Sequence, residues 1–506
     1  MNTSSARQLT LFDIKSDNFN WKVERFSANA LCEESARQAL EDKYMGITEI
    51  TDIFNRQSVS YQLSKRDCLH RWLKYKEGFS ANLVETLFEE MEIGKGERVL
   101  DPFLGSGTTA LVAQMQGINS IGFDIMPTTA VALFAKGNIL RYNVQELHRL
   151  ADFISGLNRP ASYKKRVKSI AITHHAYPDQ TERDIPFYTE QIAHSSFSDE
   201  AKGLARLCLL NSLERLSYTS KDGQYLRWAV NSKRVMEANA CRIAAGREPL
   251  KAKLDKGDLP SVNQVLTGEI NKAIDDIVYL QASMHNLSES TEMVFKQGSA
   301  LVELPLLRKD TISGVVTSPP YCNRYDYTRI YALELAFLGM GEDEIRRTRQ
   351  DLLSCTVENR TKLDFLHDYY NSMGRMVDFN RVKRVIKENA ALSEVVSALK
   401  IRNDNGDINN KGILKMVKGY FEELAFVYYE LFRVCKKGAK VAFVNDNVRY
   451  AGEVIPVDFI STELAAQFGF TPLKVYSLKQ QKGNSSQQMA KFGRVPLRKS
   501  ITLWEK

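Results

Sequence analysis

Between residues 97 and 127 the chain alternates strand and helix, with connections too short for anything but a parallel arrangement. Glu97-Arg-Val-Leu-Asp-Pro-Phe103 reads as a buried strand. A turn carrying Gly105 and Gly107 follows, and a helix is expected from about Thr108 to Gln116. Ser120–Ile125 reads as a second strand, and Pro127 opens another helix. This rhythm is that of a doubly wound sheet covered by helices. Strand patterning returns at Met293–Phe295 and Gly314–Thr317. A long helix is expected around Tyr420–Val434, and Lys440–Asn445, Phe470–Leu478 and Ser500–Trp504 read as closing strands. The expected fold class is therefore α/β, a mostly parallel doubly wound sheet with a C-terminal antiparallel hairpin and largely helical insertions.

The insertions lie where that rhythm breaks. Residues 141–290 and 341–414 are charged and helix-friendly with few strand-like runs. Residues 1–60 are polar and irregular and read as an N-terminal extension. The sheet domain is then assembled from 61–140, 291–340 and 415–506.

Charge placement says more than the total of +8. From Leu431 to Lys506 there are 13 Lys/Arg against 5 Asp/Glu, which leaves the first 430 residues balanced. A neutral body with a basic end suggests either a local polyanion contact or a solvated basic face. The seven cysteines are scattered without a C-x-x-C or C-x-x-H cluster, so neither a zinc site nor a disulfide framework is expected. That usage suits a reducing cytoplasm. The start MNTSSARQLTLFDI lacks a basic-then-apolar leader pattern, and the longest charge-free stretch, Pro102–Phe123, is too polar for a membrane span.

The glycine turn, Asp101-Pro-Phe-Leu-Gly-Ser-Gly-Thr-Thr109, has no lysine and no third glycine, and an acid opens it. Phosphate-cradling loops prefer the opposite features. Asp101 can accept from an ammonium or hydroxyl, and Asp124 at the end of the second strand suits two ribose hydroxyls. A ligand with a ribose, an amino group and no phosphate fits, and S-adenosylmethionine is such a ligand.

Val315-Val-Thr-Ser-Pro-Pro-Tyr321 carries the chemistry. A buried strand ends at a stiff diproline corner, at the edge where open α/β sheets place ligands. Ser318 Oγ and the Pro319 carbonyl are acceptors there, Pro320 adds no N–H, and Tyr321 adds an aromatic face. Two acceptors gripping the two hydrogens of an exocyclic amino group turn its nitrogen towards tetrahedral geometry and free its lone pair. Cys322 reads as a bystander, because Tyr321 separates it from Pro320.

The string DPFLGSGTT resembles motif I, and TSPPY resembles motif IV, of the amino-methyltransferases that act on DNA. The resemblance covers about 65–140, 291–340 and 415–506, and it implies a Rossmann-like methyltransferase sheet. It further implies that Asp101, Pro102, Phe103, Gly105, Ser106, Gly107 and Thr108 line the methionine end of the cofactor, with Asp124 and Ile125 at the ribose. His70-Arg-Trp-Leu-Lys-Tyr-Lys-Glu-Gly-Phe-Ser80 looks like the segment that closes over the methionine carboxylate, through Lys76, Phe79 and Ser80. Gln297-Gly-Ser-Ala300 matches the place of a polar residue near the adenine, here Ser299. In this family the [ST]-P-P-Y form goes with cytosine N4 more often than with adenine N6. Motif order is cofactor first and chemistry second, the reverse of many relatives that carry the same glycine string.

The same resemblance implies double-stranded DNA as partner and a flipped base as substrate, with a restriction or defence system as setting. Arg324, Tyr325 and Tyr327, in the basic and aromatic run after Tyr321, either cap the base pocket, contact phosphates or cap the next helix. Gln481–Met489 resembles the loop of the terminal hairpin, where Lys482, Asn484 and Ser485 would meet a base or its backbone. Tyr225-x-Arg227-Trp228 with Lys233 and Arg234 reads either as a DNA-facing cluster or as helical packing around Trp228. Gln8-Leu-Thr-Leu-Phe12 resembles the short motif by which bacterial proteins dock on the replication sliding clamp. Two other readings remain open: an RNA amino-methyltransferase, and a catalytically silent DNA-binding module.

Overall fold

The computed structural model describes residues 22–222, 225–283, 291–479, 489–493 and 495–506. The clamp-like Gln8–Phe12 and the loop residues Lys482, Asn484 and Ser485 lie outside them. Eight strands form the central sheet: β1 (Thr48–Thr51), β2 (Arg98–Asp101), β3 (Asn119–Asp124), β4 (Met293–Gln297), β5 (Ile312–Thr317), β6 (Cys435–Asp446), β7 (Thr471–Leu478) and β8 (Lys499–Glu505). Their spatial order is β1-β7-β8-β6-β5-β2-β3-β4. All neighbouring pairs are parallel except β7–β8 and β8–β6, so β8 alone runs against the rest. The chain is a mixed α/β protein with the mostly parallel sheet and C-terminal reversal that its sequence implies.

Successive residues of the central strands enter opposite layers, as the two-residue period of a strand requires. Val99, Val316, Ala442 and Val444 pack with Leu83, Leu87 and Val112, on α2 (Ala81–Glu90) and α3 (Thr108–Met115); α1 is Ser35–Met45. Leu100, Val315, Val441 and Phe443 pack in the other layer. Both faces are covered, so these strands read as continuous apolar runs.

The first insertion packs beside α4 (Pro127–Gly137) as four longer helices: α5 (Val144–Gly156), α6 (Asp179–His194), α7 (Asp199–Leu216) and α9 (Val262–Ser283). One apolar cluster runs from Leu111 and Leu133 into Leu150, Ile185, Leu209 and Ile277. A small hairpin, Thr219–Asp222 with Tyr225–Trp228, and α8 (Lys233–Ala244) project from it. The second insertion contributes four helices between Glu342 and Asp404, ahead of α10 (Gly412–Val434) and α11 (Val457–Phe468).

Two expectations change here. The N-terminal extension is not wholly irregular: α1 and β1 form, and β1 adds a parallel edge strand to β7. The short strand has too little apolar pattern to be legible alone, because its partner lies more than 400 residues away. The basic C-terminal segment is also largely neutralised within the molecule. Lys440 pairs with Glu92 at 3.1 Å, Lys491 with Asp407 at 2.6 Å and Lys506 with Asp310 at 2.7 Å. Arg498 lies fully buried between Glu41 and Asp458, 2.9 Å from the latter. Among the described residues no helix is long and apolar enough to cross a membrane.

Candidate active site

The sheet changes direction between β2 and β5. From β2 the chain winds outward through β3 and β4, then returns to the opposite side of β2 as β5. The carboxyl ends of the two strands therefore flank a crevice, the general ligand position of such sheets. The glycine turn follows one strand and Ser318-Pro-Pro-Tyr321 follows the other. A single cavity takes its wall from both, including Phe103, Gly105, Ser106, Asp124, Ser318 and Pro320.

Two glycines make the turn possible. Gly105 has φ +55, and a Cβ there would stand 2.9 Å from the Tyr75 ring. Gly107 has φ +87, and its Cβ would meet Leu133 at 2.4 Å. The left-handed backbone disfavours any larger residue at both positions, and at Gly105 the Tyr75 ring also crowds the space. From beneath, the fully buried Lys136 donates to the Ser106 carbonyl at 3.2 Å, and burial pushes its pKa down to about 7.

Asp124 lines the cavity. One carboxylate oxygen accepts from the Gly105 N–H and the other from the Met126 N–H, both at 2.7 Å. Each oxygen retains a lone pair for a hydroxyl, which fits a ribose diol. Burial pushes its pKa up to about 7 against those two hydrogen bonds. Asp101 behaves differently from expectation. It is 2% exposed and off the cavity wall. Its oxygens accept from Thr317 Oγ1 at 2.6 Å, Thr109 Oγ1 at 2.8 Å and the Phe103 N–H at 3.0 Å. It ties the two loops together rather than offering a free acceptor, while burial raises its pKa to about 6.

Of the remaining cofactor candidates, Pro102, Thr108, Ile125, Phe79 and Ser299 also line the cavity. Gly107 does not; it caps α3. Lys76 and Ser80 are also absent from the wall. The Lys76 ammonium donates to the Lys221 carbonyl, and buried Ser80 caps α2 through the Leu83 N–H at 3.3 Å. Their neighbours Tyr75, Glu77 and Gly78 line it instead. The segment is set by the first insertion: Asp276 of α9 accepts from Trp72 Nε1 at 2.8 Å and Arg71 Nε at 2.9 Å, and Lys74 pairs with Glu214 at 2.8 Å. That choice of face could not be read from local spacing.

At the diproline corner, Ser318 Oγ lies 3.1 Å from Tyr321 Oη and 3.2 Å from the Val444 carbonyl. Lys499 Nζ stands 3.4 Å from Tyr321 Oη, 4.9 Å above its ring and 3.1 Å from Asp446. That pairing raises the Lys499 pKa against burial, which opposes it as the largest influence. Pro319 is buried, and neither it nor Tyr321 lines the shared cavity.

The proposed DNA contacts separate. Tyr327 is 8% exposed and lines the shared cavity, so it faces inward. Tyr325 is half-buried against it, edge to face at 5.3 Å. Arg324 is half-buried, at φ +67. Arg227 is exposed on the small hairpin beside exposed Tyr225, whereas Trp228 is half-buried and Arg234 stacks on it at 4.8 Å.

The chain matches the family model for DNA methylases of the N6/N4 type over residues 8–133. It is 50% identical over 497 residues to the type II methyltransferase M.BsoBI of Geobacillus stearothermophilus, across 98% of this chain and 97% of that one. It is 36% identical over 504 residues to the type II methyltransferase M.AvaI of a Nostoc strain, across 98% and 96% of the two chains. A shorter match, 36% over 93 residues, joins it to the type II methyltransferase M.MjaII of Methanocaldococcus jannaschii. With a crevice that unites the glycine turn and the diproline corner, and near full-length similarity to such enzymes, the chain belongs to the N4/N6 amino-methyltransferase family.

Proposed function

We propose that this protein methylates the exocyclic N4 of a flipped cytosine in double-stranded DNA, as the modification partner of a restriction system. The observation that carries the reading is the shared cavity wall of Gly105, Asp124, Ser318 and Pro320. The residues fit S-adenosylmethionine: a diol acceptor in Asp124, a glycine turn open to close approach, and apolar walls from Phe103, Ile125 and Leu301. That cofactor supplies an electrophilic methyl group on sulfur.

The chain's own residues do the rest. Ser318 turns its proton towards Val444 or Tyr321, so its oxygen keeps lone pairs for an amino hydrogen. The Pro319 carbonyl is the second acceptor. Tyr321, half-buried with Lys499 over its ring, stacks on the base in this proposal. The proton released from the amino nitrogen leaves through these acceptors to solvent. Fixing the amino group beside its electrophile contributes up to roughly 7–11 kcal/mol in favourable cases. Serine in place of an acid at the first position of the corner favours cytosine over adenine. The family match and the type II names of the relatives favour DNA over RNA.

The first insertion supplies the DNA-reading surface in this proposal. Tyr225–Lys256 contains eight Lys/Arg against three Asp/Glu, a local surplus of five within a stretch of chain that is otherwise acidic enough to balance it. Arg247, Lys251 and Lys253 are exposed. The hairpin strand Tyr225–Trp228 packs against Tyr327–Ile330, directly behind the active-site loop. Digestion of DNA methylated with isotope-labelled cofactor, followed by nucleoside mass spectrometry, tests the reading. N4-methylcytosine is expected; N6-methyladenine, or label in RNA alone, would refute it.

A further inference from the structure

Two acidic residues line the cavity, Asp124 and Glu77. Asp124 receives backbone N–H groups on both oxygens. Among the described residues Glu77 receives a single hydrogen bond, from Tyr331 Oη to Oε2 at 2.5 Å. Its Oε1 is shut off from solvent and accepts nothing among the described residues. A buried carboxyl oxygen left without a partner is costly, and such a group beside a cavity points to a ligand donor that would meet it.

We propose that Glu77 binds the ammonium group of the cofactor's amino-acid end, the role that Asp101 cannot fill. The inference rests on the methyl-donor reading above. Asp101 is withdrawn from the wall and saturated by Thr109, Thr317 and the Phe103 N–H. Glu77 stands on the segment that also gives Tyr75, Gly78 and Phe79 to the wall, so it faces the glycine turn from the other side. Gly78 approaches that turn closely: a Cβ there would lie 3.3 Å from Ser106 Oγ.

The side chain is fixed for this task. The Tyr331 ring stacks on Tyr75 at 5.1 Å and 15°, and the Lys76 N–H donates to its hydroxyl at 3.2 Å. The Lys221 ammonium lies 4.3 Å above the same ring and pairs with buried Glu334 at 2.5 Å. Lys221 belongs to the hairpin of the first insertion. Tyr331 is thus a positioning residue, through which an element of the insertion holds the carboxylate. The Lys76 ammonium, next in sequence, is drawn to the Lys221 carbonyl.

The test measures binding without turnover. Calorimetry on the full chain compares S-adenosylhomocysteine with its deaminated analogue, which keeps the carboxylate and adenosine but lacks the ammonium. E77Q is expected to weaken S-adenosylhomocysteine binding by about 10- to 100-fold, the range for a charge-assisted hydrogen bond. The deaminated analogue should change less than about twofold, since it lacks the charge that the carboxylate meets. Equal losses for both ligands, or no loss for either, would overturn the assignment. Y331F removes the orienting hydroxyl and should give a smaller loss, again confined to the amino-bearing ligand. Should E77Q fail to fold, an unchanged ligand ratio in Y331F overturns the proposal by itself. Wild-type protein that binds neither ligand would instead refute the cofactor reading on which the inference stands.

Discussion

Ser318 and Tyr321 face one another across the diproline corner, hydroxyl to hydroxyl at 3.1 Å. The pair makes the tyrosine more than an aromatic surface: its hydroxyl and the Val444 carbonyl compete for the serine proton and leave the serine oxygen as acceptor. S318A is expected to reduce methyl transfer by at least about 100-fold, comparable to losing one transition-state hydrogen bond in a preorganised site. Cofactor affinity should remain within a few-fold, because Asp124, the glycine turn and the apolar walls are untouched. Single-turnover rates and calorimetry separate the two; transfer at the wild-type rate would remove Ser318 from the chemistry.

Lys499 reaches the corner from the last strand and is balanced by Asp446 at 3.1 Å. K499M takes the cation from the Tyr321 ring and hydroxyl. The expected result is about a tenfold fall in the methyl-transfer step, equal to about 1.4 kcal/mol of positioning. Affinity for S-adenosylhomocysteine should be unchanged, since Lys499 does not line that cavity. A matching fall in both quantities would mean that the substitution disturbs the fold instead.

Asp124 gives a pH dependence with a defined sign. Burial raises its pKa to about 7, so the folded protein without ligand holds the proton more tightly than the unfolded chain does. Its contribution to stability is complete below the ordinary carboxylate range and is lost as pH rises to about 7. Ribose hydroxyls donate to the ionised form, so S-adenosylhomocysteine affinity should strengthen as pH rises through about 7. D124N should bind weakly and lose that slope. Calorimetric titrations from acid to mildly alkaline pH read it directly.

The exposed basic stretch of the first insertion predicts a salt effect. Replacing Arg247, Lys251 and Lys253 together by glutamine should weaken DNA binding and flatten its dependence on salt. The slope of log K against log salt should fall by about 0.9 for each phosphate that the variant no longer neutralises. Fluorescence anisotropy at several ionic strengths measures it. An unchanged slope would place the DNA on another face.

Arg498 is buried between two acids on separate elements, Glu41 of α1 and Asp458 of α11. R498M leaves both carboxylates buried without their cation. The expected loss is about 3–5 kcal/mol of unfolding free energy, from the cost of breaking a buried ion group on one side. Denaturant titration measures it, and a loss under about 1 kcal/mol would show that water relieves the site.

The sequence by itself determined the sheet and where its two loop motifs fall. Those features depend on local backbone rules: a glycine pair that only a tight turn explains, a diproline stop, and apolar runs of strand length. It also marked residues 70–80 as part of the site. Only the tertiary structure decided which of those side chains face the cavity. Lys76 and Ser80 turn away because Lys221 and α2 claim them, and Glu77 turns inward because Tyr331, 254 residues on, holds it. Asp101 is a tie rather than a free acceptor because Thr317 comes from a strand 216 residues later. The basic C-terminus is quenched by acids from distant elements. Hydrogen-bond partners across such separations are set by packing, which no local pattern encodes.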